Sequence, residues 1–148
     1  MHEQRETTQA LSAKESLELF EKKHFAHLAC HHKNDLYLIP ITYAFADGTI
    51  YSHTGPGKKI EIMRKNPHVC IQVEDIENYF EWKSAIAWGD FEELHGDEAA
   101  QAARLMLRQF AEKERPQRRS DLVEDFPEEL ESAILFKVKI KECTGRFQ

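Results

Sequence analysis

The residues best suited to chemistry lie in the run PITYAFADGTIYSHTGPGKKIEIMRKN, residues 40–66. Its Gly-Pro-Gly loop opens a predicted helix whose first residues are Lys58 and Lys59. A helix N-terminus offers unpaired N–H groups and the positive end of the helix dipole, and both attract phosphate. Ser52 or Thr54, at the end of the preceding strand, can add hydroxyl hydrogen bonds. The run predicts a phosphate site, although a surface loop followed by a solvated basic helix accounts for the same residues.

Other kinds of chemistry find little support along the chain. The sequence holds no GxSxG, HExxH, GxGxxG or P-loop motif, so no side chain is assigned a catalytic role. The three cysteines lie far apart without a CxxC pair, which predicts reduced thiols. His24, His27, His31 and His32 cluster in sequence, but the two-residue period of a strand scatters them over both of its faces. A zinc or haem site is therefore disfavoured.

Composition narrows the class of protein. A chain of 148 residues fits a single domain spanning 1–148, and 41% hydrophobic with 31% charged residues is a normal globular balance. Twenty basic residues against 26 acidic ones give a net charge of −6, and neither half is basic, which disfavours nucleic acid as a partner. The longest apolar stretch, Leu36–Ala46, is too short to span a bilayer. The opening MHEQRETTQA lacks the basic-then-apolar pattern of a secretion leader, so we expect none. We therefore expect a soluble, cytoplasmic protein without membrane contact.

The hydrophobic pattern predicts a mainly β chain. Six strands are expected, at Phe25–His31, Leu36–Phe45, Thr49–Thr54, His68–Asp75, Lys83–Leu94 and Ile134–Glu142. Three helices are expected near residues 13–23, 58–66 and 98–113. The charged segment 114–131 is predicted to be a loop with one short helical turn. Antiparallel hairpin links between the strands favour a small six-stranded antiparallel β-barrel with flanking helices over a doubly wound sheet.

Single residues refine this prediction. Pro40 lacks an N–H group and implies a bulge or an unpaired position, and Gly89 indicates a bend or bulge. The strand Leu36–Phe45 carries apolar residues on both faces, so we expect it to be covered on both sides. In the last strand Ile134 and every second residue after it are expected to face inward, with Leu135 outward.

The ordered pieces of this pattern resemble a known family. The run HLACHHKNDLYLIPITYAFADGTIYSHTGPGKKIEIMRKNPHVCIQVE, residues 27–74, is similar to the FMN-binding split-barrel family related to pyridoxamine 5'-phosphate oxidase. The similarity is greatest to its short members, which include nitroimidazole-resistance proteins. The blocks WKSAIAWGDFEEL and VKIKECTGR resemble later strands of the same family. The resemblance implies a six-stranded split barrel that forms a homodimer with FMN at the interface.

The resemblance also implies which residues hold the cofactor. It assigns ten contacts: Ile41, Thr42, Tyr43, Ser52, His53, Thr54, Lys58, Lys59, Ser84 and Trp88. The first three belong to a strand whose backbone faces the flavin, and the next three to a strand end near the ribityl chain and phosphate. The lysine pair grips the phosphate, and the last two residues approach from the second subunit. The basic pair is Lys-Lys where the family has Arg-Lys, which replaces a bidentate fork by a point charge.

Three functions follow as alternatives. The first is a dimeric FMN-dependent oxidoreductase that reduces a small organic acceptor with a nicotinamide donor, the flavin supplying the redox chemistry. The second is a protein that stores or carries FMN without turnover. The third is a haem-binding relative, which the histidine cluster keeps open. The acceptor, the choice between NADH and NADPH, and the choice among FMN, a deazaflavin and haem stay open at this point.

Overall fold

The structure, a computed structural model, describes residues 8–113 and 132–148. The strands in this part of the chain are β1 (Gln9–Leu11), β2 (Phe25–His32), β3 (Asp35–Ala46), β4 (Thr49–Thr54), β5 (His68–Asn78), β6 (Glu81–Glu93) and β7 (Ile134–Phe147). The helices are α1 (Ala13–Lys22), α2 (Lys58–Lys65) and α3 (Gly96–Lys113). The loop predicted over residues 114–131 lies outside the described residues.

Six of the strands form a closed ring. They pair in the order β7-β4-β3-β2-β5-β6, and β6 pairs again with β7, every ladder being antiparallel. The predicted six-stranded antiparallel barrel is therefore confirmed. Ring closure gives each of the six strands a neighbour on both sides over part of its length, while β3 before Tyr43 has no β4 partner. The three-residue β1, which the sequence analysis missed, pairs with the end of β7 outside the ring.

Local sequence signals explain how the first elements form. The hairpin between β3 and β4 turns at Asp47 and Gly48, both at positive φ (50° and 69°), as a two-residue hairpin turn requires. Helix α1 begins with a capping box: Ser12 Oγ accepts from the Glu15 N–H at 3.1 Å, and Glu15 Oε1 accepts from the Ser12 N–H at 3.2 Å. These two devices fix the entry of α1 and the register of β3 against β4.

The barrel interior is filled by side chains from every strand of the ring together with α1 and α2. The largest fully buried side chains include Phe20, Leu28, Tyr43, Ile50, Met63, Ile71, Phe136 and Val138. Tyr43 lies in this core, and its O–H donates to the Phe20 carbonyl at 2.6 Å. This hydrogen bond offsets most of the free-energy cost of burying the Tyr43 hydroxyl.

A second, smaller cluster lies outside the barrel wall under α3. It consists of Ala44, Leu94, Ala102, Met106, Phe110 and Leu135. Leu135, which the sequence analysis placed on the outward face of the last strand, is thus buried. The alternation was right, because Leu135 does face away from the barrel interior, but α3 covers that part of the wall.

The special positions behave largely as expected. The register between β6 and β7 shifts at Trp88/Gly89, which confirms the irregularity expected at Gly89. A Cβ at Gly89 would lie 2.3 Å from the Lys139 carbonyl oxygen, so only glycine fits there. Pro40 pairs opposite His27 without a register shift, and the β3–β4 ladder begins only at Tyr43. Pro40 therefore sits where β3 lacks β4 as a partner, and the bulge that was the alternative is not formed.

The outer face of β3 is covered only at its end. Ala44 is buried under α3, but Leu36 and Leu38 are 80% and 66% exposed. The expectation that β3 is covered along both faces is therefore wrong for its first half within the described chain.

Among the described residues no helix is long and apolar enough to cross a membrane.

Candidate functional site

The predicted phosphate end is an open helix N-terminus. Helix α2 starts after Gly57, whose φ of 155° is a conformation that glycine adopts readily, and no side chain caps the helix. Cβ atoms placed on Gly55 or Gly57 would meet nothing within 4 Å. Space and backbone N–H groups therefore coincide at the place where the sequence predicts phosphate.

The two lysines that follow occupy different surroundings. Lys58 is mostly exposed; its Nζ lies 3.4 Å from Asp35 Oδ1 and 5.9 Å from the ring centre of Tyr37. Lys59 is half-buried, and burial lowers its pKa. The positive charge of Lys59 is therefore less screened by water than that of Lys58, which Asp35 already partly balances.

The two hydroxyl groups at the end of β4 are used in hydrogen bonds within the protein. Ser52 is fully buried and its hydroxyl donates to the Thr42 carbonyl at 2.6 Å, which holds β4 against β3. The Thr54 hydroxyl donates to the Gly55 carbonyl at 3.1 Å. That either hydroxyl donates to a phosphate stays a prediction. His53 is half-buried and pairs opposite Leu135.

The three residues predicted on β3 divide by face. The side chains of Ile41 and Tyr43 are buried in the barrel, so only their backbone can contact a ligand. Thr42 is half-buried and points to the outer face, opposite Phe25 of β2. Burial raises the pKa of the Tyr43 phenol. The prediction that this strand contacts the flavin through its backbone is compatible with the buried side chains.

Ser84 and Trp88 lie on the outer face of β6. Trp88 pairs opposite Cys70, which pairs opposite Ala29, which in turn pairs opposite Leu38. This row of side chains crosses four strands and connects Trp88 with the exposed apolar part of β3. The predicted residues of β6 and the uncovered side chains of β3 therefore belong to one continuous face, which we call the outer face.

A cleft of about 520 Å³ opens on the outer face where β2 and β5 separate. The β2–β5 ladder stops at His27 opposite Gln72, and the cleft lies beyond that pair. Its walls are Lys23, His24, Phe25, Ala26, His27, Pro40, Gln72, Val73 and Glu74. Another cleft of about 600 Å³, between α1 and the β3–β4 hairpin, contains none of the predicted site residues. The cleft at Gln72 is not lined by a predicted site residue either, but it adjoins two of them, because Pro40 precedes Ile41 and Gln72 donates to Ser84.

Burial favours the protonated form of all three thiols. Burial raises the pKa of Cys30 and Cys70, and it raises the pKa of Cys143 to about 11. All three cysteines are free. In the part of the chain that the structure describes, no group of three or more His, Cys, Asp or Glu side chains could hold a metal ion.

The chain matches a known protein family over most of its length. The sequence model of the family described as pyridoxamine 5'-phosphate oxidase matches residues 12–147. The chain belongs to the pyridoxamine 5'-phosphate oxidase family. The match takes in the Gly-Pro-Gly loop, the lysine pair and the whole of the barrel ring, and it confirms the family resemblance found in the sequence.

Individual relatives in this family are similar over most of the chain. An uncharacterized protein of Rhizobium meliloti (strain 1021) is 32% identical over 124 residues, which are 82% of each chain. The crystal structure of a FAD-binding protein from Mesorhizobium loti is 27% identical, with a TM-score of 0.74 and coverage of 96% of this chain and 99% of that one. A putative 5-nitroimidazole antibiotic resistance protein from Bacteroides thetaiotaomicron VPI-5482 is 17% identical, with a TM-score of 0.71 and coverage of 99% and 95%. The last similarity shows the shared fold.

Two features of this family member escaped the sequence analysis. The ion pair between Asp35 and Lys58 joins residues 23 positions apart, and no motif signals it. The hydrogen bond from Gln72 to Ser84 joins β5 to β6 at 2.9 Å. The alternating pattern of β5 does place Gln72 on an outward face, but only the strand register shows which residue it meets.

Proposed function

We propose that this chain binds FMN in a homodimer and acts as an NAD(P)H-dependent oxidoreductase that reduces a small organic acceptor. The observation that carries the proposal is the family match over residues 12–147, which includes the loop and lysine pair at the open N-terminus of α2. The 27% identity to a FAD-binding protein over nearly the whole chain supports a flavin as the cofactor.

The charges around α2 favour a flavin with one phosphate. Lys58 and Lys59 supply two positive charges beside the helix N-terminus, which match the charge of a phosphate monoester. Asp35 lies beside Lys58 and would repel a second phosphate group. FMN carries one phosphate and FAD carries two, so this arrangement supports FMN.

The uncovered apolar side chains support a second copy of the chain as partner. Leu36, Leu38 and Phe25 on the outer face are 80%, 66% and 59% exposed, and Tyr79 and Phe80 at the β5–β6 turn are 80% and 71% exposed. Exposed apolar side chains such as Leu36 and Leu38, two residues apart on one face of β3, are typical of protein interfaces. The family resemblance implies that Ser84 and Trp88 of one copy approach the lysine end of the other, and two-fold symmetry would form that contact twice.

The chain's own residues would bind and orient the cofactor. The isoalloxazine ring supplies the redox chemistry when bound, taking electrons from a reduced nicotinamide and passing them to the acceptor. The lysines and the α2 N-terminus would hold the phosphate end, and the backbone of β3 would face the ring and ribityl chain. The raised thiol pKa values keep the cysteines protonated near neutral pH, so they take no part as thiolates.

Two measurements test the proposal in order. The absorbance spectrum of the purified protein, with mass spectrometry of the ligand released on denaturation, is expected to identify FMN at about one per chain. A protein that arrives without flavin and does not bind added FMN would overturn the proposal. Anaerobic addition of NADH or NADPH is then expected to bleach the flavin bands. Stable bands with both donors would leave an FMN carrier without turnover, which is the alternative function.

A further inference from the structure

Asn66 ties the end of α2 to two strands of the barrel. Its N–H donates to the Ile62 carbonyl at 2.8 Å and closes the last turn of the helix. Its side-chain Nδ2 donates to the His31 carbonyl of β2 at 2.7 Å, and its Oδ1 accepts from the His68 N–H of β5 at 3.3 Å. We call the side-chain contacts of Asn66 with His31 and His68 the Asn66 clamp.

The partners in the Asn66 clamp select the neutral form of the His31 ring. A carbonyl oxygen can only accept and a backbone N–H can only donate, so the two backbone contacts fix the orientation of the Asn66 amide. The same Nδ2 atom lies 2.9 Å from His31 Nδ1. Since an NH₂ group donates, Nδ1 is the acceptor and carries no proton, which leaves the proton of the neutral ring on Nε2. In the protonated ring both nitrogens carry protons, so this hydrogen bond is lost and two N–H groups face each other.

The carboxylates around His31 are already paired with other basic groups. The surrounding elements carry these titratable and charged side chains, next to His31 in the strand register or in the last turn of α2: His32, Lys33, Asp35, Arg64, Lys65, His68 and Asp90. Asp35 Oδ1 lies 3.4 Å from Lys58 Nζ, and the two oxygens of Asp90 lie 3.5 Å from His68 Nδ1 and 2.5 Å from Lys141 Nζ. The helix dipole attracts positive charge at the C-terminal end of α2, and Arg64 and Lys65 already supply it there.

The Asn66 clamp bears on the lysine pair because α2 is short. The helix has eight residues and is about 12 Å long, so a change at its end is felt at its start. Buried Ile60, Ile62 and Met63 press it onto the barrel, but apolar packing is not directional. Two ion pairs, Lys58 with Asp35 and Arg64 with Glu93, also join α2 to the barrel. Each has a mostly exposed basic partner, and such pairs contribute little.

We propose that Asn66 is a positioning residue that aligns α2 while the His31 ring is neutral, and that protonation of His31 loosens the phosphate end of the site. This inference rests on the proposed function and adds to it a dependence on pH. Imidazole is the side chain that gains its proton between about pH 8 and about pH 5. Acidification therefore weakens FMN binding by more than the protonation of the phosphate itself does. Riboflavin, which lacks the phosphate, is not affected in this way.

The test compares two substitutions of His31 in flavin fluorescence titrations at about pH 7.5 and about pH 5.5. His31→Asn keeps an acceptor, since its amide oxygen is bonded to Cγ as Nδ1 is, but it does not titrate. Between the two pH values the wild type is expected to lose FMN affinity two- to fivefold more than His31→Asn, at the lower end of the range for a hydrogen bond because the ring is exposed. His31→Leu lacks the acceptor and is expected to bind FMN more weakly at both pH values.

A matched control and a double-mutant cycle assign the effect to the Asn66 clamp. His27 is an exposed histidine on the same strand and the same face as His31. His27→Asn is expected to retain the wild-type loss of FMN affinity between the two pH values. Asn66→Ala is expected to weaken FMN binding at both, and in that background His31→Asn is expected to change nothing. Should Asn66→Ala fail to fold, the two His31 variants and the control still decide the question.

The flavin-free protein gives a second readout. Because protonation removes a hydrogen bond of the folded chain, its melting temperature is expected to fall between the two pH values by about 2–4 °C more in the wild type than in His31→Asn. Equal falls would overturn the Asn66 clamp as a pH-sensitive contact.

Separate results distinguish the failure of each idea. A wild-type chain that binds no flavin would overturn the proposed function and the link to the phosphate, while the melting temperatures would still decide the clamp. A wild-type chain that binds FMN with the same pH profile as His31→Asn would overturn the positioning role alone. An equal acid-dependent loss for riboflavin and FMN would refute the assignment to the phosphate end.

Discussion

The two lysines at the start of α2 should differ in their contribution to FMN binding. We compare Lys59→Met with Lys58→Met, two changes that remove one charge each from adjacent positions and keep most of the side-chain volume. Lys59 is half-buried with a pKa lowered by burial, whereas Lys58 is mostly exposed and lies 3.4 Å from Asp35. A charge that is partly shielded from water attracts phosphate more strongly than one that water and a carboxylate screen.

The magnitudes follow from the surroundings of each charge. Two unit charges ~4 Å apart attract by about 1 kcal/mol in water and by about 4 kcal/mol at the effective dielectric constant near a protein surface. Lys58→Met is expected near the lower value, about fivefold in Kd for FMN. Lys59→Met is expected between the two values, at about 2–3 kcal/mol or roughly 30- to 150-fold.

Flavin fluorescence titrations with FMN and with riboflavin measure the difference. Riboflavin lacks the phosphate, so its Kd is expected to stay the same in both variants. Since the folded pKa of Lys59 is lowered, its charge is present below that pKa and is lost as the pH rises through it, at a lower pH than for an ordinary lysine of 10.5. FMN affinity of the wild type should fall over that range, and Lys59→Met should lose the dependence. Equal losses for riboflavin and FMN, or a larger effect of Lys58→Met, would refute the reasoning.

Three further changes test other parts of the structure. Asp35→Asn is expected to tighten FMN binding about two- to fivefold without affecting riboflavin, because it frees Lys58 from an exposed ion pair worth at most about 1 kcal/mol; weaker FMN binding in a titration would contradict this. Gly89→Ala is expected to destabilise the barrel by about 1–3 kcal/mol, seen as a lower midpoint in chemical denaturation, because its Cβ would strike a backbone oxygen at 2.3 Å. Cys143, with a pKa of about 11, is expected to react with a thiol reagent at pH 8 on the order of 100-fold more slowly in the folded protein than in denaturant, and rapid reaction of all three thiols in the folded protein would speak against it.

The order of elements could be predicted from the sequence because each has a local cause. The capping box at Ser12 and the turn at Asp47-Gly48 act within a few residues, so their effect is visible in the letters alone. The strand β1 was missed because it is three residues long with one buried side chain, which is too short for alternation to show. The end of β7 was missed for a related reason, since the residues after Glu142 lack an alternating apolar pattern.

The residues of the candidate site also differ in whether a local sequence pattern predicts them. The lysine pair stands in one continuous motif, so the residue order itself predicts it. Gln72 and Ser84 meet only because β5 and β6 pair in one particular register, and a shift of one residue would turn one of them to the opposite face. Leu38 is exposed because α3 does not cover it. The position of α3 depends on tertiary packing, which the periodicity of the sequence does not encode.

The distribution of these residues bears on how cofactor binding and association are related. In the described structure the lysines lie at the start of α2, while Ser84 lies on the outer face of β6, opposite Glu74 of β5. Leu38, on that same face, is exposed where a second copy would cover it. If one flavin contacts the lysines of one chain and Ser84 of another, each ligand is held by two chains. Ligand binding and dimer formation then favour each other by mass action. Dilution of the wild-type protein should therefore release flavin. Leu38→Lys should weaken flavin binding by weakening the dimer, although the Leu38 side chain does not contact the cofactor.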